Sequence, residues 1–411
     1  MTRATQVAAD APAQVRGGLP GTILLGLSGL VMLGPMTTDA VLPALPDIAG
    51  EFSVEPGSVQ LALSGVTIGL AVGQLFSGPL SDMFGRRRPL LIGSAALALS
   101  SAAAAFAPTL PLLVLVSIVI GLGAAVGATV GRAVVTDLTA GPALTRGLSL
   151  LGSAMSIGPV IGPVFGAVLA LVWGWRGLFV GLAVLGAVSF VFIAVLVPES
   201  LPAQRRIRGG LRAVPRAVVS AVRTRAFWCG SLVVWFAFVA SFAYISASPH
   251  VLQEAMGFPV LAFAVVFAVN GVGVIIGGLV TARLARTWTP HRILGLGLTV
   301  VSVGAVLVII AVVSGALTPW LVLPGFFLLA AACGFFIGPG LAMAVAELRE
   351  TAGTTLALVG AVQFAIAAAV APLSVLGAPH DLTSLAVLLG AGPVLAWLGW
   401  ALFRPARPAD S

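Results

Sequence analysis

One carboxylate stands alone in the first long apolar run of the chain. Asp39 has no charged neighbour between Leu19 and Pro46, so a helix that crosses a membrane here must carry it inside. An acid at the bilayer centre costs roughly 2.5 to 3.5 kcal/mol, and such acids usually handle ions, protons or substrates in a polar cavity. Pro35 and Pro43 flank it and open the backbone ladder, which membrane helices tolerate beside such a cavity. The alternative is that Asp39 is a solvated helix end.

The other residues that could do chemistry do not form a catalytic or metal-binding set. His250, His291 and His380 all lie near the ends of apolar runs, and Cys229 and Cys333 lie inside such runs without metal-ligand spacing. An intramembrane enzyme would need a convergent set, so we expect neither enzymatic activity nor a cofactor or metal.

Composition indicates that lipid covers most of the surface. Of 411 residues, 59% are hydrophobic and only 8% are charged, with a mean hydropathy of +1.13. A soluble protein of this size needs more polar material to cover itself. All 21 basic residues are arginines that fall between apolar runs rather than on one basic face, so no nucleic-acid partner is expected.

Hydropathy predicts an all-α integral membrane protein with twelve transmembrane helices. Each apolar segment is about 20 to 26 residues long, enough to cross a hydrocarbon core of about 30 Å. The predicted spans are 19–42, 57–80, 89–107, 110–134, 148–172, 178–197, 226–246, 260–284, 293–313, 319–344, 354–376 and 382–403.

The distribution of arginine predicts the orientation. With the amino terminus inside, twenty of the 21 arginines fall in inner segments and Arg176 alone in an outer one. Asp47, Glu51 and Glu254 are among the acids of the outer segments. By the positive-inside rule both termini are cytoplasmic, and the expected location is the cell inner (cytoplasmic) membrane.

The longest polar connection divides the chain into two six-helix bundles. It covers 198–225 and separates 19–197 from 226–403, while 1–18 is a predicted disordered cytoplasmic tail and 404–411 a second cytoplasmic tail. Two six-helix bundles in one chain are a transporter architecture. We expect a monomer in the lipid bilayer whose partners are a small-molecule substrate and protons.

Small residues recur at four-residue spacing on three predicted spans. Such ladders lie on one helix face and let helix backbones approach closely in lipid. They fit either static packing or a smooth interface on which the two halves rock. The ladders are Gly65, Gly69, Gly73 and Ser77; Gly123, Gly127 and Gly131; and Gly158, Gly162 and Gly166.

The loop after the second span carries a recognisable motif. The run GPLSDMFGRRRP begins at Gly78 and includes Gly85. It resembles the signature between spans two and three of the major facilitator superfamily. The resemblance implies the fold of that family and a cytoplasmic charge latch, in which Asp82 and Arg86 join an acid at the end of span four, here Asp137. The alternative is a solvated turn that only obeys the topology.

A second motif lies in the fifth span, where Gly158, Pro159, Gly162 and Pro163 stand in the run GPVIGP. It is similar to the antiporter motif of the same superfamily. Proline and glycine here predict a kinked helix with a bare face at the interface between the halves. The resemblance favours export over import.

A narrower resemblance is to the Bcr/CflA group of drug:proton antiporters. It rests on MTTDAVLPALP at 36–46, RAVVTDL at 132–138, the segment 246–254, and Ala346, Glu347 and Gly353. It implies proton-driven efflux of small hydrophobic or amphipathic compounds, such as drugs or antibiotics, with Asp39 as the proton carrier. A proton-coupled importer of a small metabolite would share the fold and is the alternative.

One position departs from the family pattern. The family usually has an R-x-x-Q-G motif in span four, and here Ser117 and Ile120 stand at its arginine and glutamine. The membrane cation expected to couple to proton release is therefore missing. Arg132 lies near the inner end of the span and cannot take the same place.

Apolar, aromatic and amide side chains are the candidates for the substrate cavity. Methionine and aromatic surfaces suit varied hydrophobic ligands, and amides are costly in lipid. Lipid-facing or ordinary packing is the alternative for the aromatic residues. The candidates are Met32 and Met36 on span one, Trp235, Phe238 and Phe242 on span seven, Asn270 on span eight and Gln363 on span eleven.

Overall fold

The computed structural model describes residues 19–206, 213–348, 352–377 and 381–402, and no strand occurs within these ranges. The predicted tails 1–18 and 404–411 lie outside the described residues, as does 207–212 of the predicted linker. The all-α prediction is confirmed for the rest.

Fourteen helices make up the described structure, joined by two short 3-10 turns, Leu42–Ala44 and Ala203–Arg205, and one π-helical turn, His250–Ala255. The run Gly141–Leu196 is broken at Gly174 and contains two helices, α6 (141–173) and α7 (175–196). The others are α1 (Gly21–Asp39), α2 (Leu45–Phe52), α3 (Pro56–Phe84), α4 (Arg87–Ala105), α5 (Leu110–Leu138), α8 (Ala213–Val222), α9 (Arg225–Pro249), α10 (Val260–Leu284), α11 (Pro290–Val313), α12 (Pro319–Ala344), α13 (Ala352–Leu373) and α14 (Thr383–Leu402).

The described residues contain the twelve predicted spans. Eleven helical runs are long and apolar enough to cross a membrane, and the 56-residue run counts twice because it breaks at Gly174. Gly174 has φ 68°, in the left-handed region that side chains with a Cβ rarely adopt. The ends of the observed helices differ from the predicted ends by several residues, and α8 within the predicted linker was not anticipated.

Two ends of the bundle differ in charge. The end at which α1 begins holds Arg86 and Arg205 in its connections and Arg146 near the start of α6, and we call it the arginine-rich end. The opposite end, with Glu51 and Glu254, is the arginine-poor end.

Helix pairings in the first half recur in the second half. In the first half α3 packs on α5, α1 on α6 and α4 on α7; in the second half α10 packs on α12, α9 on α13 and α11 on α14. Counting only the membrane spans, the second set is the first shifted by six. The halves meet through α3 against α13 and α6 against α10.

The small-residue ladders pack inside the first half. A Cβ on Gly69 would meet the Ile118 carbonyl oxygen of α5, and one on Gly127 would meet Leu30 of α1. The interpretation as a sliding surface between halves is therefore wrong for these glycines, and static packing is their role. Contacts this close are available only to glycine because any side chain would separate the two backbones.

The rim of the bundle is apolar. Leu99, Val195 and Val313 are each more than 70% exposed, and large exposed hydrophobic side chains recur along α4, α7 and α11. An apolar rim around twelve long helices matches a hydrocarbon solvent, in which every backbone polar group must be bonded within its own helix. The chain is a multi-pass membrane protein.

Two neighbouring glycines of α10 test the packing argument. A Cβ on Gly277 would clash with the Ala331 carbonyl oxygen of α12, whereas Gly278 has no atom within 4 Å of that position. We expect Gly277→Ala to destabilise the protein by about 1 to 3 kcal/mol through overpacking. Gly278→Ala should be neutral or stabilise by up to about 1 kcal/mol. Melting temperatures of the two purified variants compare them, and equal values would contradict the argument.

Candidate functional site

Asp39 is buried at the end of α1. Asp39 is 7% exposed. The chain that follows it stays inside the protein through the turn Leu42–Ala44 and the start of α2. No hydrogen bond or ion pair from a described residue reaches its carboxylate. It lies within electrostatic range of Tyr244 on α9 and Cys333 on α12, both in the second half. A solvated helix end does not describe this position.

The glycines of α6 pack directly on the acid-bearing helix. A Cβ on Gly162 would lie 3.2 Å from Asp39 Cβ, and one on Gly158 would lie 2.6 Å from Pro35 Cγ. The prediction that this glycine face lies between the halves is therefore wrong, since it faces α1 of the same half. Lacking side chains, the glycines let the two backbones come close beside Asp39. Pro159 and Pro163 lie within the same stretch of α6.

A different residue of α6 contacts the second half. A Cβ on Gly271 of α10 would lie 3.0 Å from the Val160 backbone, so the two helices nearly touch there. Beside it, Asn270 is 2% exposed and its Nδ2 has no hydrogen-bond partner in the described structure. Gln363 on α13 is 8% exposed. Both rare amides thus lie on helices that form the contact between halves.

The three aromatic candidates of α9 separate into two groups. Trp235 donates its indole N–H to the Val359 carbonyl at 2.9 Å and packs edge-on against Phe227 and Trp228, which is ordinary packing. Phe238 and Phe242 have ring centroids 5.6 Å apart and belong to the main apolar core.

Two further candidates come from α1. Met36 is buried beside Asp39, and Met32 is half-buried one turn away. Their spacing on the helix that carries the acid places both thioethers near the same part of the bundle.

The position of the missing arginine is filled by close packing. Ser117 is 1% exposed, and a Cβ on Gly65 of α3 would lie 3.1 Å from its Cβ. Arg132, further along α5, is exposed and uses its Nε to donate to the Ala128 carbonyl at 2.9 Å. Neither residue supplies a cation to Asp39.

The loop motif builds a charge cluster at the arginine-rich end. Arg86 Nη1 donates to Asp82 Oδ1 at 2.6 Å and its Nε donates to Asp137 Oδ2 at 2.8 Å. Arg86 is 9% exposed. Burial alone lowers the pKa of Arg86, but Asp137 and Asp82 outweigh burial and raise it, so the guanidinium stays charged.

Sequence analysis missed two members of this cluster. Glu199 Oε1 accepts from the Arg86 backbone N–H at 2.8 Å, and Ser200 Oγ donates to Asp137 Oδ2 at 3.1 Å. Gly85 has φ 89°, and a Cβ there would clash with the Glu199 carboxylate. An acid directly after span six, on the arginine-rich side, was the available signal. Gly78 has no neighbour that close, and its carbonyl accepts from Ser81 Oγ at 2.8 Å.

The hydrogen bonds that join the two halves do not lie at the Arg86 cluster. In the described residues there are four, and they involve Gln60, Ser64 and Gln253. Gln60 Nε2 donates to the Ser246 carbonyl at 2.7 Å, and Ser64 Oγ donates to the Ala368 carbonyl at 2.7 Å. All lie in the part of the bundle towards the arginine-poor end, which is therefore closed.

Two bacterial proteins are similar in sequence to most of this chain. The chain is 31% identical over 344 residues to the uncharacterized MFS-type transporter YdgK of Bacillus subtilis, covering 83% of this chain and 85% of that protein. It is 25% identical over 348 residues to a bicyclomycin resistance protein homolog of Haemophilus influenzae, covering 82% and 84%.

A solved structure and a family profile complete the comparison. The partially occluded inward open conformation of the xylose transporter XylE from E. coli has a TM-score of 0.73 at 17% identity, covering 95% of this chain and 99% of that one. The sequence profile of the Major Facilitator Superfamily matches residues 27–372. The chain belongs to the Major Facilitator Superfamily.

Proposed function

We propose that the protein exports small hydrophobic or amphipathic compounds, such as drugs or antibiotics, across the cytoplasmic membrane in exchange for protons. The observation that carries the proposal is Asp39, buried without an ion-pair partner among the described residues and packed against the glycine face of α6. The bicyclomycin resistance homolog supports the Bcr/CflA resemblance and export of a drug. As a family of transporters, the superfamily offers no support for an enzyme.

The hydrogen bonds between the two halves belong to the step of the transport cycle in which the outer side is closed. If the arginine-rich end is cytoplasmic, as the positive-inside rule expects, the four hydrogen bonds between halves close the outer side. Outward opening requires these bonds to break.

Asp39 gains or loses a proton according to its access to water. A carboxylate surrounded by apolar helices favours its neutral form, and water admitted to the cavity favours the charged form. Opening to the outer side exposes Asp39 to a higher proton concentration, where it loads. Opening to the cytoplasm lets it release the proton. A substrate in the same cavity competes with the proton for Asp39. Outward transport of substrate is thereby exchanged for inward transport of a proton.

The substrate surface is apolar with few polar groups. Met32, Met36, Phe238 and Phe242 supply adaptable apolar contacts, and Asn270 and Gln363 supply hydrogen bonds. A pocket of this kind accepts varied apolar compounds and fixes their orientation through a few amides. Asp39 adds a charge that favours cationic compounds.

The charge cluster at Arg86 controls how the first half moves. It joins α3, α5 and the segment after α7, all within that half, and so keeps their arginine-rich ends together as one body. Without it the ends of these helices separate and the half no longer moves as a unit.

Replacing Arg86 tests the cluster. Arg86→Ala removes two charged hydrogen bonds and leaves Asp137 without its cation, so efflux should fall about tenfold or more while the protein still inserts. Asp82→Asn should impair transport in the same direction. Efflux of a fluorescent lipophilic cation from vesicles, with membrane content measured by immunoblot, checks both variants. Arg88→Ala is the control because Arg88 lies two residues further along, in the first turn of α4, and is exposed. Loss of insertion instead of transport would contradict this role.

Replacing Asp39 tests proton coupling. Asp39→Asn keeps size and hydrogen-bonding capacity but cannot titrate, so efflux driven by a pH gradient should be lost while binding of the cation persists in part. Asp39→Glu should retain some coupling, with a changed dependence on pH. Asp47→Asn is the matched control, since Asp47 lies on α2 and is exposed. Unchanged proton-driven efflux in Asp39→Asn at equal expression would rule out Asp39 as the carrier.

A further inference from the structure

A fully buried histidine lies at the arginine-poor end, where the two halves meet. His250 is the first residue of the π-helical turn after α9, and Gln60 belongs to the first turns of α3 in the other half. Both residues are 0% exposed. A seal between apolar helices needs no titratable group, so the presence of an imidazole here requires a reason.

The hydrogen bonds around His250 define its protonation state. His250 Nδ1 lies 2.9 Å from Glu254 Oε1, and His250 Nε2 lies 3.5 Å from Gln60 Nε2. Gln60 Nε2 also donates to the Ser246 carbonyl at 2.7 Å, which fixes the orientation of the amide because a carbonyl only accepts. Nδ1 therefore carries the proton that Glu254 accepts, and Nε2 presents a lone pair to the Gln60 amide. The imidazole in this arrangement is neutral.

A second proton on the ring conflicts with the closed arrangement. It must bind Nε2, which then directs an N–H at the N–H donors of Gln60. Rotating the amide brings Gln60 Oε1 to the Ser246 carbonyl, acceptor against acceptor. The first outcome disrupts the contact between Gln60 and His250, and the second removes the hydrogen bond from Gln60 to the Ser246 carbonyl; both contacts join the two halves. Gln60 Oε1 lacks a partner in the described structure, so the closed arrangement leaves one buried acceptor unpaired.

Two acids lie at this end close to the site: Glu254, in contact with His250, and Glu55, which directly precedes α3 and is five residues before Gln60. Glu254 is the charged side chain within ion-pair distance of His250 among the described residues. Charged residues of α3 and α10, Asp82 and Arg283, lie at the far ends of those helices. Ser374 of α13 meets Ser246 at 2.8 Å between hydroxyl oxygens. Glu254 has a side chain 25% exposed and gives the pair contact with water at the arginine-poor end.

We propose that His250, together with Glu254, is a second proton-binding site, and that proton binding there separates the two halves at the arginine-poor end. Protons from the outer side would thereby open the route to the buried cavity. The inference rests on the alternating-access part of the proposed function and does not depend on Asp39 as the coupled group.

The distance between the two halves at the arginine-poor end reports this opening. Thr109 and Ser314 are exposed there, one in each half, and are suitable for spin labels as Thr109→Cys and Ser314→Cys. Cys229→Ala and Cys333→Ala remove the native thiols. Double electron–electron resonance in lipid nanodiscs between about pH 8 and about pH 5 covers the range in which histidine titrates. The population at longer distance should increase as the pH falls.

Variants separate the second site from the first. His250→Gln keeps hydrogen-bonding groups but does not titrate, so the shift with pH should be lost, while Asp39→Asn should keep it. If His250→Gln fails to fold, Gln60→Met serves instead, because it removes the amide that opposes the second proton. Gln60→Met should show a high long-distance population already at about pH 8, with little further change.

Two results would overturn the proposal: no shift with pH in the parent protein, or the same shift in His250→Gln or Gln60→Met as in the parent. Failure of the proposed antiport is a separate result, seen as proton-driven efflux that persists in Asp39→Asn. The distance measurement needs no substrate and does not depend on that outcome.

Discussion

The free energy needed to hold a carboxylate away from water constrains the first half of this protein. Asp39 is 7% exposed and has no ion-pair partner among the described residues, so its charged form is unfavourable while the helices stay packed around it. Close approach of α6 excludes water from that side, and this approach depends on Gly158 and Gly162. The protonation of one group is thereby linked to how tightly several helices close. Such a link is what an antiporter requires, because substrate and proton must favour different arrangements of the same cavity.

The two ends of the bundle use different interactions. At the arginine-rich end, Arg86 and its acids form charged hydrogen bonds within one half. At the arginine-poor end, neutral hydrogen bonds such as Gln60 to Ser246 join the two halves. A neutral hydrogen bond contributes about 0.5 to 1.5 kcal/mol, whereas breaking a buried ion pair such as Arg86 with Asp137 costs about 3 to 5 kcal/mol. Asp82 contributes less, because its side chain is 37% exposed and water screens its charge. This difference fits the proposed cycle, in which the halves separate at one end while each half remains intact.

The sequence was sufficient to predict the helices but not their partners. Hydropathy located the twelve spans, because a membrane span must be long and continuously apolar. The spacing of the glycines could not show that Gly162 faces Asp39 in the same half. Spacing indicates that one face of a helix lacks side chains, but it does not indicate which helix packs on that face. Arg86 with Asp137 was predicted from a motif. Glu199 was missed because its contact joins residues 113 positions apart.

Departures from the family pattern were also only partly informative. Ser117 indicated that the usual arginine is absent, and the structure adds the physical reason that α3 lies too close for a long side chain. His250 and Gln60 could be noticed as polar residues near span ends, but only their contact across the two halves gives them a common role. A site formed between helices that are far apart in sequence can be recognised only once the packing of those helices is known, and a single sequence does not give that packing.

Proton release on substrate binding tests the central claim most directly. With purified protein in weakly buffered detergent solution and a pH indicator, adding a lipophilic cation that binds should release protons from the parent protein, because the charged carboxylate favours the cation. Asp39→Asn should bind the cation more weakly and release none at saturation. Equal proton release from the parent and from Asp39→Asn, or none from the parent at saturation, would contradict competition between substrate and proton at Asp39.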